Sequence, residues 1–297
     1  MSKKQDDDDY PTTGHEWDGI REYDKPMPRW WLWTFYATIV WAVGYTIAYP
    51  AWPMINEATP GLLGYSTRNE VVQEIAVVEQ MNAAINVRLA ETPLTEISAD
   101  PELLGYATSA GAAVFRSWCS QCHGSGAAGV QAAGYPNLLD DAWLWGGDIE
   151  AIYLTIAHGI RNENDPDARW SQMPAFGDIF EETEISAAVN YVMSLSGTPA
   201  DASLVDQGSV LFEENCAACH GENALSDSEQ GAPNLADAIW LYGGSEAAIE
   251  HTVRYSRFGV MPPWSAEASD AGRLSEAEVR AVTAYVHGLG GGEETPN

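Results

Sequence analysis

The segment CSQCH at Cys119–His123 returns as CAACH at Cys216–His220, 97 residues further along the chain. This repeat constrains the fold more than any other feature. At the same spacing Pro136-Asn137-Leu138 returns as Pro233-Asn234-Leu235, Trp143-Leu144 as Trp240-Leu241, and Gly146-Gly147 as Gly243-Gly244. Self-similarity at one fixed period means two copies of a single structural unit. Each copy reads as short helices joined by Gly- and Pro-rich loops. One helix leads into the Cys pair (AGAAVFRSW, VDQGSVLFEEN), a second follows Gly-Gly (DIEAIYLTIA, SEAAIEHTVR), and a third closes the unit at 181–197 and 275–291. In the last of these Ser275 and Glu278 form a capping-box pattern, and Val279, Val282 and Val286 supply an apolar stripe. Strand-like alternation of useful length does not occur. The expected fold is all-α, with units at 105–198 and 202–292.

Each C-x-x-C-H matches the attachment site of c-type haem. Two thiols three residues apart can form thioethers to the two vinyl groups on one porphyrin edge, and the adjacent His reaches the iron from one face. Covalent attachment matters in a unit too small to bury a haem completely. Other readings of the cysteines fit less well. A Cys₄ zinc site places its pairs ~15–20 residues apart, far closer than Cys122 and Cys216. A thioredoxin-like redox pair expects a βαβ setting. Two haem c groups are therefore expected, on Cys119, Cys122 and His123, and on Cys216, Cys219 and His220.

The sixth ligand must come from the other side of each porphyrin. Of seven methionines, Met173 and Met261 have matching surroundings. Each lies between the second and the closing helix, is followed by Pro, and precedes an aromatic residue, Phe176 or Trp264. Proline fixes the loop, and a thioether opposite an imidazole raises the reduction potential. The sequence thus predicts one His/Met iron per repeat. His158, His251 and His287 lack counterparts in the other copy, and Met193 falls within an apolar helix, so these are expected to be structural or surface residues. Pro136 and Pro233, each 13 residues after its haem His, could offer a carbonyl to the imidazole N–H. Trp143 and Trp240 are expected to wall the haem pockets.

From Trp30 to Asn56 there is no charged residue. Trp30–Tyr49 reaches the ~20 residues that span a bilayer core. Trp30, Trp31 and Trp33 at one end, with Tyr45, Tyr49 and Trp52 at the other, resemble interfacial aromatic belts. A cleaved signal peptide would have a shorter leader and a shorter apolar core. Hence residues 30–53 are expected to be an uncleaved anchor, with 1–29 cytoplasmic. Lys3, Lys4, Arg21, Lys25 and Arg29 precede the span and Arg68 is the nearest base after it, so the positive-inside bias exports the rest. Residues 54–104 read as a connector. Val71, Ile75, Val78 and Ile85 recur there at roughly helical spacing up to Thr92-Pro93. Acidic residues outnumber basic ones by 43 to 14, a net charge of −29. That field excludes nucleic acid as a partner. It fits either solvation in a salty habitat or steering of a cationic protein.

On these residues the chain resembles the CcoP/FixP family, the dihaem subunits of cbb3-type haem–copper oxidases. TTGHEWDGIREYDKPMPRWW (12–31) is similar to the family's pre-membrane signature, with Lys25 departing from a frequent Asn. RNENDPDARWSQMPAFG and RYSRFGVMPPW are similar to its two methionine-ligand loops. The resemblance implies one transmembrane helix followed by two tandem class I cytochrome c-like domains in the periplasm, beside the bacterial inner membrane. It also implies electron transfer from a soluble or membrane-bound cytochrome c donor, basic if the acidic surface steers it, to the monohaem subunit. That subunit feeds the catalytic subunit, which reduces dioxygen in aerobic respiration and pumps protons. A free-standing dihaem shuttle fits the same motifs. A haem enzyme fits less well, because both irons would be closed by His and Met.

Overall fold

The computed structural model describes residues 11–226, 228–237 and 239–294. Lys3 and Lys4 lie outside the described residues. The chain divides into two units, residues 1–81 and 82–297.

In the first unit β1 (Thr12–Trp17) and β2 (Ile20–Tyr23) form an antiparallel hairpin. Asp18 and Gly19 carry φ values of 47° and 83°, the positive pair that a type I′ turn requires. The hairpin lies outside the units for which an all-α fold was expected, and its residues are exposed throughout. The apolar helix α1 spans Arg29–Ala48 with no buried residue. At 1.5 Å per residue its length is about 30 Å, one hydrocarbon thickness. Beyond it the chain doubles back, and Leu62 and Leu63 donate their N–H groups to Ile47 O and Ala48 O at 2.9 and 3.0 Å. Those bonds satisfy carbonyls that a helix end leaves open. Gly61, at φ +72°, makes the return possible, because a Cβ there would lie 2.5 Å from Ala48 O. Helix α2 (Thr67–Glu91) follows and crosses the boundary between the units.

The second unit opens earlier than the sequence repeat does. Leu89 at the end of α2, then Leu94 and Ile97, are buried with Leu103 of α3 (Pro101–Val114). The expected connector over 54–104 therefore ends well before residue 104. Asp100 caps α3 by accepting the Glu102 and Leu103 N–H groups, both at 3.1 Å. A π-helical turn over Phe115–Cys119 leads into α4 (Ser120–His123). After it come α5 (Ile149–His158), α6 (Glu182–Ser196), α7 (Val205–Asn215), α8 (Ala217–His220), α9 (Glu246–Tyr255) and α10 (Glu276–His287). Both Glu181–Glu184 and Ser275–Glu278 form capping boxes, at α6 and α10.

The closing helices are exchanged. Helix α10, from the second repeat, packs on α3 of the first, while α6 packs on α7. The contact points are equivalent. A Cβ on Gly111 of α3 would strike Ala281 O and Tyr285 Cβ of α10; one on Gly208 of α7 would strike Ala187 O and Tyr191 Cβ of α6. Phe115 lies 5.5 Å from Tyr285, and Phe212 5.2 Å from Tyr191. One core accordingly joins Val114, Phe115 and Ile152 to Val279, Val282 and Val286. The other joins Ile185, Val189 and Val192 to Phe212, Ile249 and Val253. Neither 105–198 nor 202–292 packs as a body by itself.

The cause lies in the link between the repeats. Only a short turn separates α6 from α7, and consecutive helices with short connections pair antiparallel. Buried Asn190 of α6 pins that turn, accepting the Asp201 N–H at 2.7 Å while its amide donates to Ser186 O at 2.9 Å. Its counterpart on α10 is the apolar Ala284. With α6 committed to α7, α3 is left to take α10.

Candidate haem sites

Each Cys pair sits where a helix breaks against the loop that follows. In the first crevice His123 ends α4, and Gly124 at φ +78° turns the chain back. His123 Nδ1 lies 3.3 Å from Pro136 O. In the second, His220 Nδ1 lies 3.1 Å from Pro233 O. The N–H at Nδ1 donates to that carbonyl, so the Nε2 lone pair is free to meet a metal. Burial holds both imidazoles below their ordinary pKa, with the Pro carbonyls opposing that shift. They are thus neutral, the form a ligand needs. Burial, then the neighbouring Cys, pushes the Cys119 and Cys216 thiols up to about 11. These are not activated nucleophiles.

The return loops are held alike. Leu138 N–H donates to Ala127 O at 2.8 Å, and Leu235 N–H to Ala224 O at 2.9 Å. One difference stands out. Gly129 at φ +68° is replaced in the second copy by Ser226 at φ +89°, a region costly for a residue with a Cβ. The Ser226 hydroxyl donates to Ala232 O, a bond that glycine cannot make.

Trp143 and Trp240 line the crevices and pack on the edges of the first and second cores. Trp143 also donates its indole N–H to Gly291 O at 2.6 Å. The methionines follow the helix exchange. Met261 packs in the core that holds Cys119, Trp118 and Trp143. Met173 packs with Cys216 and Trp240. The packing differs from that expected of each repeat by itself, because each loop crosses to the other half before its methionine. Met261 exchanges backbone hydrogen bonds with Ile160 at 2.9 and 3.0 Å, and Met173 O accepts the Ser256 hydroxyl.

The other histidines serve local structure. His158 bonds buried Asp165 at 3.1 Å, His251 meets the Tyr255 ring edge-on, and His287 Nε2 bonds Glu293 O at 2.9 Å. Met193 packs against the second core.

The two crevices run together into one cavity of about 390 Å³, lined by both Cys pairs, both histidines and both methionines. The residues fit haem on structural grounds: paired thiols beside a neutral imidazole, apolar walls, and a buried Trp145 indole N–H with no partner. Sequence reasoning missed Trp145 and Tyr242, which recur at the 97-residue spacing. It also missed Arg169 and Arg257, each four residues before a ligand-loop methionine in the pattern Arg-aromatic-x-x-Met-Pro.

Known proteins share the order of these parts along the chain. The family model for the N-terminal domain of cytochrome oxidase-cbb3, FixP, matches residues 10–56. That for cbb3-type cytochrome c oxidase subunit III matches 107–192, and that for cytochrome c matches 205–290. A cbb3-type cytochrome c oxidase subunit CcoP from Cereibacter sphaeroides is 60% identical over 98% of both chains. One from Rhodobacter capsulatus is 55% identical over 95% of this chain and 96% of its own. The FixP subunit of Sinorhizobium medicae is 51% identical over 95% of each. The chain belongs to this CcoP/FixP family of dihaem subunits of cbb3-type cytochrome c oxidases, and it carries two covalently bound haem c groups.

Proposed function

We propose that this chain accepts electrons from a cytochrome c donor and passes them through its two haems to the monohaem and catalytic subunits of the oxidase. Helix α1 sits in the membrane with its N-terminus cytoplasmic, and the second unit faces the periplasm. Haem c supplies a one-electron couple at each site. His123 with Met261, and His220 with Met173, would hold the two haems, and an imidazole and a thioether at each would leave no place for a substrate. The two Pro carbonyls fix the imidazole tautomers, and the apolar walls exclude water, which favours a high potential. The observation that carries the reading is the single cavity containing both His/Met sets, an arrangement suited to relaying electrons between neighbouring centres.

Co-purification tests it. Mild detergent extraction should yield this chain with a copper-containing oxidase core and oxygen uptake driven by reduced cytochrome c. Isolation without a copper-containing partner would favour the free-standing shuttle. The acidic surface, at a net charge of −29, should make donor turnover fall steeply with added salt. Turnover insensitive to ionic strength would assign the acidity to solvation alone.

The exposed β1–β2 hairpin is the proposed docking element for the oxidase core. An isolated two-stranded hairpin is marginal in water, and a partner surface would stabilise it. Deleting residues 10–24 should therefore abolish co-purification with the core while leaving two haems per chain. Unchanged assembly would remove the hairpin from the interface.

A further inference from the structure

Between the crevices lies a group of residues that no iron or thioether needs. Trp145 is 7% exposed, lines the cavity, and its indole N–H has no hydrogen-bond partner. Tyr242 holds the equivalent place in the second repeat, and its hydroxyl makes no hydrogen bond among the described residues. Arg161 reaches between the repeats. Its guanidinium lies 6.0 Å from the Trp145 ring and 5.7 Å from the Phe258 ring, and donates to Ser171 O and, at 3.1 Å, to Gly259 O. Arg257 stacks 4.6 Å over Tyr242 and donates to Ala248 O at 2.6 Å. Arg169 stands behind Trp145 at 5.5 Å and donates to Ala151 O, the position matching Ala248.

None of these three arginines makes an ion pair with a carboxylate among the described residues. Burial pulls Arg161 and Arg169 below their ordinary pKa; the Asp148 carboxylate opposes that shift at Arg169, whereas no carboxylate opposes it at Arg161, a cation half withdrawn from water. Buried cations are ordinarily paired. Haem c brings two carboxylates per porphyrin, and they leave the edge opposite the thioethers. Carboxylates meeting Arg and an indole N–H form charge-assisted hydrogen bonds.

We propose that Arg161, Arg257, Trp145 and Tyr242 form one clamp for the propionate carboxylates of both haems, with Arg161 serving the two together. Trp145 serves the haem of Cys119 and Cys122. Arg257 and Tyr242 serve the haem of Cys216 and Cys219, and Arg169 is a positioning residue that holds the Trp145 ring. The clamp draws the two propionate edges to one seam and places the inter-haem electron path there. It presupposes that both crevices hold haem.

The test is a spectroelectrochemical titration of the full chain in detergent, with both haems in place. The two transitions are assigned through Met261→His and Met173→His variants. A positive charge beside a haem favours the reduced form, so Arg161→Gln should lower both potentials. The expected change is about tenfold in each one-electron equilibrium, or about 59 mV. Arg161→Lys, which retains the charge, should restore most of the shift. Trp145→Phe should lower only the first haem and Arg257→Gln only the second. Arg254→Gln, which removes the half-buried partner of exposed Glu182 outside the cavity lining, should move neither. Unchanged potentials in Arg161→Gln protein that still holds two haems would overturn the clamp, even if its thermal stability fell. That result would leave the electron-transfer reading intact, whereas purified chain without covalent haem would sink the reading itself.

Discussion

Replacing Met261 with His will lower the reduction potential of the haem attached at Cys119 and Cys122, and leave the haem at Cys216 and Cys219 nearly unchanged. Imidazole stabilises the ferric state more than thioether does. The expected shift is of the order of a few hundred millivolts, within the ~0.8 V that axial ligation spans. The direction follows from chemistry alone, but the address follows from the fold. Met261 belongs to the second repeat by sequence, yet its side chain packs with Trp118, Cys119 and Trp143 of the first. If the repeats were closed on themselves, the shift would fall on the other haem. The measurement is a redox titration in a Cys216→Ala/Cys219→Ala background, where only the first haem remains. A low potential there supports the crossed assignment, and a normal one refutes it. Met173→His should give the mirror result in a Cys119→Ala/Cys122→Ala background.

Much of this architecture is legible in the residues. The 97-residue period marks two units, the C-x-x-C-H motifs mark their cofactor, and a Pro carbonyl 13 residues after each His falls within hydrogen-bond distance of Nδ1. The uncharged stretch from Trp30 yields one long helix. What the repeat hides is which copy closes which. Both closing helices carry the small residue and tyrosine that fit a glycine on a leading helix, as Ala187 with Tyr191 and Ala281 with Tyr285. The choice rests on connection length and on one polar side chain, Asn190, and not on any difference in periodicity. The hairpin is a separate case. Asp18-Gly19 is a strong turn signal, but it lies in a segment too polar and too short to register as strands by alternation. The propionate clamp was hidden for another reason: arginines and aromatics are common near any surface, and only the orphaned indole N–H and the shared cavity give these ones a role.

The helix exchange also makes a stability prediction with a definite pairing. Gly111→Val should destabilise the second unit by about 3 kcal/mol, the upper range for overpacking a close contact. For a unit of this size that means a melting temperature lower by roughly 6–12 °C. The obstacle is backbone, Ala281 O, together with Tyr285 Cβ, so no rotamer change relieves it. Gly105, in the same helix with nothing near its would-be Cβ, provides the contrast: Gly105→Ala should stabilise by about 0.5–1 kcal/mol. Lost packing of α10 should also loosen Met261, seen as loss of the thioether–iron charge-transfer band from the first haem before the second. The decisive measurement is a double-mutant cycle by thermal or denaturant unfolding of the holo chain. Gly111→Ala should couple to Tyr285→Ala by about 1 kcal/mol or more, since the two positions touch. With Tyr191→Ala it should be additive within ~0.3–0.5 kcal/mol, as for sites sharing no contact. Coupling to Tyr191 instead would mean that each repeat closes on itself, and both the crossed ligands and the exchanged helices would have to be given up together.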